Sequence, residues 1–376
     1  MNKVGYLTSH ASMNFGGLLQ AYALQETIRE MGYSCEIINY KPEVHDLKKH
    51  PIQFVMQRKG FLRTSLFGIQ HHKEMQTRIE IIERFRRDYF SSKPDYPVGV
   101  PKLPEISKKY DILCVGSDQL WNLSQKDNEN RVYMLDFEHS CKSFSYAISF
   151  GDGLQKMKRE IEASLPLVSK FSAVSVREQE GADFLFSHGI EAKVVLDPTL
   201  MVDTEFWERF KGTKRLIEEP YILIYGFENA NQKYEDLISG ARKAAEMLNL
   251  PVINPVFSPK SGNVGFKNYL NCGPIEFINL VENARVLITN SFHGSIFAVL
   301  YDTPFVAIKG RNSGKDSRKA NLFKLLKMED RLVYPDEEWI KDKLLEKKYD
   351  MVESLLVEPR MKSKEYLHDA LRRCES

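Results

Sequence analysis

The 376-residue chain reads as an α/β protein of GT-B-like architecture, two Rossmann-like domains with a cleft between them. Three observations predict it. Short apolar runs alternate with helical patterns, the signal of βαβ units and parallel sheets. Those runs form two series, separated at 211–220 by a charged stretch that closes on Pro220. The length also exceeds one ordinary core and fits two domains of usual size.

The first series opens with Val4–Thr8 and continues through Ser34–Ile38, Ile112–Val115, Ser143–Ala147, Ala173–Val176 and Val194–Leu196. The second comprises Tyr221–Gly226, Val252–Asn254, Val286–Thr289 and Phe305–Ile308. The first domain is therefore expected over residues 1–212 and the second over 213–335. From 336 to 376 the apolar residues Trp339, Leu344, Leu345, Met351, Leu355 and Leu356 predict helices. By analogy with other two-domain folds, these are expected to pack back on the first domain. In open α/β folds a substrate lies beyond the carboxyl ends of the strands, which here places it in the cleft.

Composition removes several function classes. With 43% hydrophobic and 28% charged residues the chain falls in the globular, soluble class. A net charge of +2 gives no global preference for a partner, and no nucleic acid is expected. Cys35, Cys114, Cys141, Cys272 and Cys374 are scattered without a C-x-x-C pair, so neither a metal site nor a disulfide framework is expected. The opening MNKVGYLTSH lacks the apolar core of a signal peptide. No stretch approaches the roughly 20 apolar residues of a spanning helix. A cytoplasmic location is expected, with peripheral contact at the inner membrane surface left open.

Residues 46–93 differ from their surroundings. They carry eleven Lys/Arg against five acids, interleaved with Ile52, Phe54, Val55, Phe61, Leu62, Leu66 and Phe67. Two explanations stand: a basic amphipathic element meeting anionic lipid or a diphosphate-linked acceptor, or a helical insertion packed on the first domain with its charges solvated.

Four motifs carry candidate chemistry. After the first strand comes Asn14-Phe-Gly-Gly, where Gly16 and Gly17 allow a tight entry into a helix whose N-terminal N–H groups favour an anion; paired glycines before a helix are also simply a turn. Ile112–Val115 runs into Gly-Ser117-Asp118-Gln119. These polar groups suit Asp118 as a base on, or ligand for, a sugar hydroxyl, while helix capping is the plainer role. Val174-Ser-Val-Arg177 ends a strand with a guanidinium whose planar fork suits carboxylate or phosphate; a salt bridge to Glu178 or Asp197 is the alternative. In the fourth motif, Val286–Thr289 leads into Asn290, Ser291, His293 and Ser295. That gathers hydroxyls, backbone donors and a proton carrier at one helix start, as a phosphorylated substrate requires.

In this order the motifs Asn-Phe-Gly-Gly-Leu-Leu-Gln-Ala-Tyr, Gly-Ser-Asp-Gln-Leu-Trp-Asn, Ser-Tyr-Ala-Ile-Ser-Phe-Gly, Ser-Val-Arg-Glu, Val-Leu-Asp-Pro-Thr and Thr-Asn-Ser-Phe-His-Gly resemble the polysaccharide pyruvyl transferase family, from Met1 to about Met328. The resemblance implies a GT-B-like fold and phosphoenolpyruvate as donor substrate, with no further cofactor. It also implies a saccharide acceptor, free or linked to a lipid diphosphate, and essential roles for Arg177 and His293. Some members carry Arg-Leu-His where this chain has Ser291-Phe292-His293. Arg318 is the residue that could supply the charge, a solvated loop being the alternative. Two other classes share the architecture: a glycosyltransferase with a nucleotide-sugar donor, and a non-catalytic glycan-binding member of the assembly machinery.

Overall fold

The computed structural model describes residues 2–41, 69–124, 131–210, 214–228, 234–256, 264–309, 317–334, 336–339, 341–347 and 349–375. Among the described residues, seven strands form the first sheet: β1 (Lys3–Leu7), β2 (Ser34–Tyr40), β3 (Ser92–Val98), β4 (Ile112–Asp118), β5 (Lys142–Ile148), β6 (Ser175–Val176) and β7 (Lys193–Val194). Six form the second: β8 (Ile222–Tyr225), β9 (Val252–Asn254), β10 (Lys267–Asn268), β11 (Val286–Thr289), β12 (Phe305–Ile308) and β13 (Leu332–Val333). The helices that shape the molecule are α1 (Phe15–Glu30), α2 (His72–Tyr89), α3 (Lys158–Val168), α4 (Gln179–Ser187), α5 (Pro198–Met201), α6 (Tyr234–Leu248), α7 (Pro274–Glu282), α8 (Phe292–Leu300), α9 (Ser317–Leu325) and α10 (Tyr349–Glu375).

Both sheets are parallel throughout, in the orders β3-β2-β1-β4-β5-β6-β7 and β10-β9-β8-β11-β12-β13. The chain reverses its direction of travel across each sheet between β1 and β4, and again between β8 and β11. Loops leaving the carboxyl ends of those neighbours diverge and leave a crevice. The doubly wound α/β class predicted from the alternating runs is the one observed, and β9, β11 and β12 have the predicted bounds. The predicted Ala173–Val176 run is shorter, with Ala173 only bridging to Phe144. Three marginal strands, β3, β10 and β13, lie outside the predicted set.

Parallel sheets need cover on both faces. One central core joins the sheets, with Tyr6 of β1, Leu18 of α1, Tyr225 of β8, Phe277 of α7, Phe297 of α8 and Leu371 of α10 all buried in it. Two further clusters cover the outer faces, one around Trp121 and Phe150, the other around Ile224 and Leu237. Helix α1 is buried along most of its length. Its Phe15 ring lies parallel to Tyr225 at 5.9 Å and tilted against Phe277 at 5.6 Å, so the first helix of the chain is wedged into the second sheet's layer. Its buried amides are satisfied: Gln20 donates to Thr8 Oγ1 and Gly17 O and accepts from Ser117 N, while Gln25 bridges Tyr89 O and Ser91 N. Unpaired, each would cost about 1–3 kcal/mol.

Two packing details bear on the site. Helix α10 lies against the first sheet: Ser363 Oγ accepts from Leu196 N at 2.9 Å, and Arg360 Nε donates to Leu200 O at 2.9 Å. Of the basic segment, residues 46–68 lie outside the described residues, and residues 72–89 form α2. There Arg78 is buried, donates to Pro255 O at 2.6 Å and sits over the Phe15 ring at 4.6 Å. Arg86 donates to the carbonyls of His10 and Ser12. For residues 72–89 the helical alternative holds, but these two cations are internal ties rather than solvated charges, because backbone carbonyls meet them.

Candidate functional site

The strand ends of the first sheet bring three charged side chains together. Arg177 leaves β6 and is only 6% exposed. Its Nη2 donates to Ser117 Oγ at 2.6 Å and lies 2.7 Å from Asp197 Oδ2, while Nη1 is 3.7 Å from Asp118. Asp118 ends β4 with φ +86°, a left-handed backbone unusual for a residue other than glycine. Asp197 caps α5, which Pro198 opens; its Oδ1 accepts from Thr199 N at 2.9 Å and from the Thr199 hydroxyl. Burial alone would raise the Asp197 carboxyl. Arg177, then His293 and Thr199, outweigh it and hold the group well below the usual carboxylate range.

The second sheet delivers the histidine. The apolar run of β11 ends at Thr289, whose hydroxyl accepts from Ser291 N at 3.0 Å. Ser291 then caps α8, accepting from Gly294 N at 3.2 Å. This start sets His293 at the second position of the helix, 4% exposed, with Nε2 3.4 Å from Asp197 Oδ2. Its ring packs against Gly16 so closely that a Cβ there would come 2.3 Å from His293 Cβ. Gly16 is thus fixed by the approach of another helix rather than by a turn. The ring of Phe292 carries Arg177 at 4.9 Å and Arg318 at 5.6 Å, both within cation–π range.

The remaining predicted residues divide into two groups. Ser117 holds Arg177, and Gln119, with its amide oxygen toward α9, accepts from Arg318 Nη1 and Nη2 at 2.8 and 3.2 Å. That ties the end of β4 to the second sheet's layer. Others are used internally. Asn14 caps α1, taking up Gly16 N and Gly17 N, so these donors of the first helix serve the chain itself. The Asn290 amide clasps both backbone groups of Phe227, and Ser295 donates to Ser291 O. Asp197, Phe292 and the buried Lys319, which donates to Asn290 O at 3.0 Å, escaped the predicted set. The signal available for Asp197 was Asp-Pro-Thr before a helix, which announces a cap; its salt bridge to Arg177 is the alternative given above, and the approach of His293 had no local signal.

Arg177, Asp197, Phe292 and Arg318 line one side of a cavity of 350 Å³, with Glu358 and Lys362 of α10 on the other. A larger cavity of 560 Å³ near the starts of β6 and β7 contains none of these four. The smaller one is the better candidate, because Arg177, Arg318 and Asp197 line it, and His293, itself not a lining residue, lies 3.4 Å from Asp197. Among the described residues, no group of three or more His, Cys, Asp or Glu could hold a metal ion, and no helix is long and apolar enough to cross a membrane.

Residues 14–312 match the family model for polysaccharide pyruvyl transferase. The chain belongs to that family. No curated protein sequence gives a match to the chain, but solved structures do. UDP-GlcNAc 2-epimerase from Methanocaldococcus jannaschii, in complex with UDP-GlcNAc and UDP, is similar with a TM-score of 0.55 at 15% identity, over 99% of both chains. The 2-epimerase of Rickettsia bellii gives 0.55 at 12%, over 100% of this chain and 97% of that one. MnaA of S. aureus with UDP gives 0.54 at 11%, over 95% and 94%. At such identities the likeness is one of fold. The pyruvyl transferase chain is GT-B-like, two Rossmann-like domains with a cleft between them.

Proposed function

We propose that the protein moves pyruvate from phosphoenolpyruvate onto two hydroxyls of a sugar, forming a pyruvyl ketal on a surface polysaccharide or its lipid-linked precursor. One observation supports this beyond family membership. Arg177 Nε and Nη1, both buried, have no hydrogen-bonding partner among the described residues. A native interior rarely leaves such groups unmatched, and the carboxylate or phosphate of an anionic donor would match the guanidinium.

In this proposal Arg177 and Arg318 grip the donor's anionic groups, and no other cofactor is needed. His293, as imidazolium, gives a proton to the donor's methylene carbon, which becomes a methyl group and leaves C2 electron-deficient. One sugar hydroxyl adds there and loses its proton to Asp118. The C2–O bond to phosphate breaks with its electron pair on oxygen. The second hydroxyl then closes the ring and releases the other proton. One proton thus enters the methyl group and two leave the hydroxyls, the balance residing on phosphate. We place the reaction in the cytoplasm, at or near the membrane where a lipid-linked acceptor is presented.

Turnover in heavy water with unlabelled phosphoenolpyruvate tests the assignment. The expected product is a ketal whose methyl group carries one deuterium, read by mass spectrometry or proton NMR. Transfer of a hexose instead would indicate a nucleotide-sugar donor of the kind bound by the 2-epimerases. A vinyl ether that keeps its methylene would indicate enolpyruvyl transfer.

A further inference from the structure

We propose that Asp197 is a positioning residue that fixes His293 as its Nε2–H tautomer and leaves Nδ1 as the nitrogen that exchanges a proton with substrate. This rests on the function proposed above only for the identity of that substrate. The enclosure of Nε2 comes first. Protein surrounds this atom, and the polar group facing it is Asp197 Oδ2 at 3.4 Å. An unprotonated Nε2 would set a lone pair against a carboxylate, whereas a proton on Nε2 makes the pair attractive. Enclosed in this way, Nε2 is also screened from anything bound in the cavity.

The carboxylate is immobilised as well. Thr199 holds Oδ1 through its backbone N–H and its hydroxyl, and Arg177 Nη2 faces Oδ2 at 2.7 Å. Asp197 therefore cannot turn from the imidazole without breaking its cap and abandoning a buried guanidinium. The opposite edge of the ring faces Gly16, where an added Cβ would come 2.6 Å from Nδ1. The ring closes onto α1 at this glycine, and any side chain there would cover Nδ1. The other charges around the ring act through these groups: Asp118 sits 3.7 Å from the Arg177 guanidinium, and Arg318 lies across Phe292. On proton transfer Nδ1 keeps the bonding electron pair, while Nε2–H stays directed at Asp197. One carboxylate would thus align the acid from one sheet and the guanidinium from the other.

The test reads the tautomer directly. In protein labelled with ¹⁵N-histidine and held in alkaline buffer, His293→Gln identifies the resonance by its disappearance. The two-bond proton–nitrogen pattern of the unaltered protein is expected to be that of the Nε2–H form. In Asp197→Asn that preference should be lost, and turnover should fall by about 10- to 1,000-fold, as for loss of a group that orients a catalytic base. An Nδ1–H pattern in the unaltered protein overturns the proposal, and so does an unchanged tautomer in Asp197→Asn. The first arm needs no variant fold, so it decides even if Asp197→Asn fails to fold. An Nε2–H pattern in a protein that leaves phosphoenolpyruvate unconsumed would support the role of Asp197 and overturn the donor assignment.

Discussion

Helices α1 and α8 begin alike and end up doing different things. Each follows a central strand, takes a polar cap (Asn14, Ser291), places phenylalanine first (Phe15, Phe292) and has glycine third (Gly17, Gly294). They differ in the second position, Gly16 in one and His293 in the other, and those two residues touch. Where α1 leaves out a side chain, α8 inserts one. The loop before α1 has its own histidine, His10, but its ring nitrogens lie 3.1 Å from Thr8 O and 3.2 Å from Asn39 Oδ1. A shared local plan therefore yields a bare glycine on one side and a buried imidazole facing Asp197 on the other. The outcome depends on which partner the ring finds.

The largest effect should come from removing that group. His293→Ala is expected to lower turnover by about 2–4 orders of magnitude, the usual range for a general acid–base residue, with the chain still folded by circular dichroism. Full activity would make α8 as inert as α1. A second contrast concerns acid. Burial pushes His10 down to about 4, against hydrogen bonds from Thr8 and Asn39 that raise it. The unfolded chain, with an ordinary value near 6.5, binds the proton first, so stability should fall from pH 6.5 to 4 and level off below. The loss is about 3 kcal/mol. Denaturant midpoints across that range would measure it, and His10→Asn should flatten the slope.

The smallest effects sharpen the comparison within α1 itself. Gly16→Ala should destabilise by about 1–3 kcal/mol, the usual penalty of overpacking, and much less in a His293→Gly background, because the two positions share one space. Gly17→Ala meets nothing nearer than 3.6 Å. It should be neutral or stabilising by up to about 1 kcal/mol, since alanine is the better helix former. Thermal melts of the unaltered chain, the three single variants and the double variant would establish the order. Equal losses at both glycines would mean that helix entry, not the approach of His293, sets the requirement.

How far the sequence could be read follows the same local logic. Buried central strands such as Val286–Thr289 announce themselves through unbroken apolar runs. Edge strands do not: β3 holds Lys93, Pro94, Asp95 and Pro97, and β10 and β13 are two residues each. Arg177 and His293 were visible because each stands where a strand gives way to polar residues. The pair of Arg177 with Asp197 was open to reading as a salt bridge, but the arrival of His293 on the same carboxylate was not, because it joins positions far apart in the chain across two sheets. The basic residues of α2 misled for a related reason. A charge reads as solvated until its partner is known, and the partners of Arg78 and Arg86 are backbone carbonyls elsewhere in the fold.

The tie between Leu196 and Ser363 has a consequence for synthesis. Chains fold from the amino end as they emerge, yet the backbone beside Asp197 waits for a hydroxyl 167 positions later. The second sheet must also be made before His293 exists to meet that carboxylate. The first sheet can therefore leave the ribosome with its strands in place and its chemistry incomplete. A growing chain of this kind lacks that support beside Asp197 until α10 has emerged and docked.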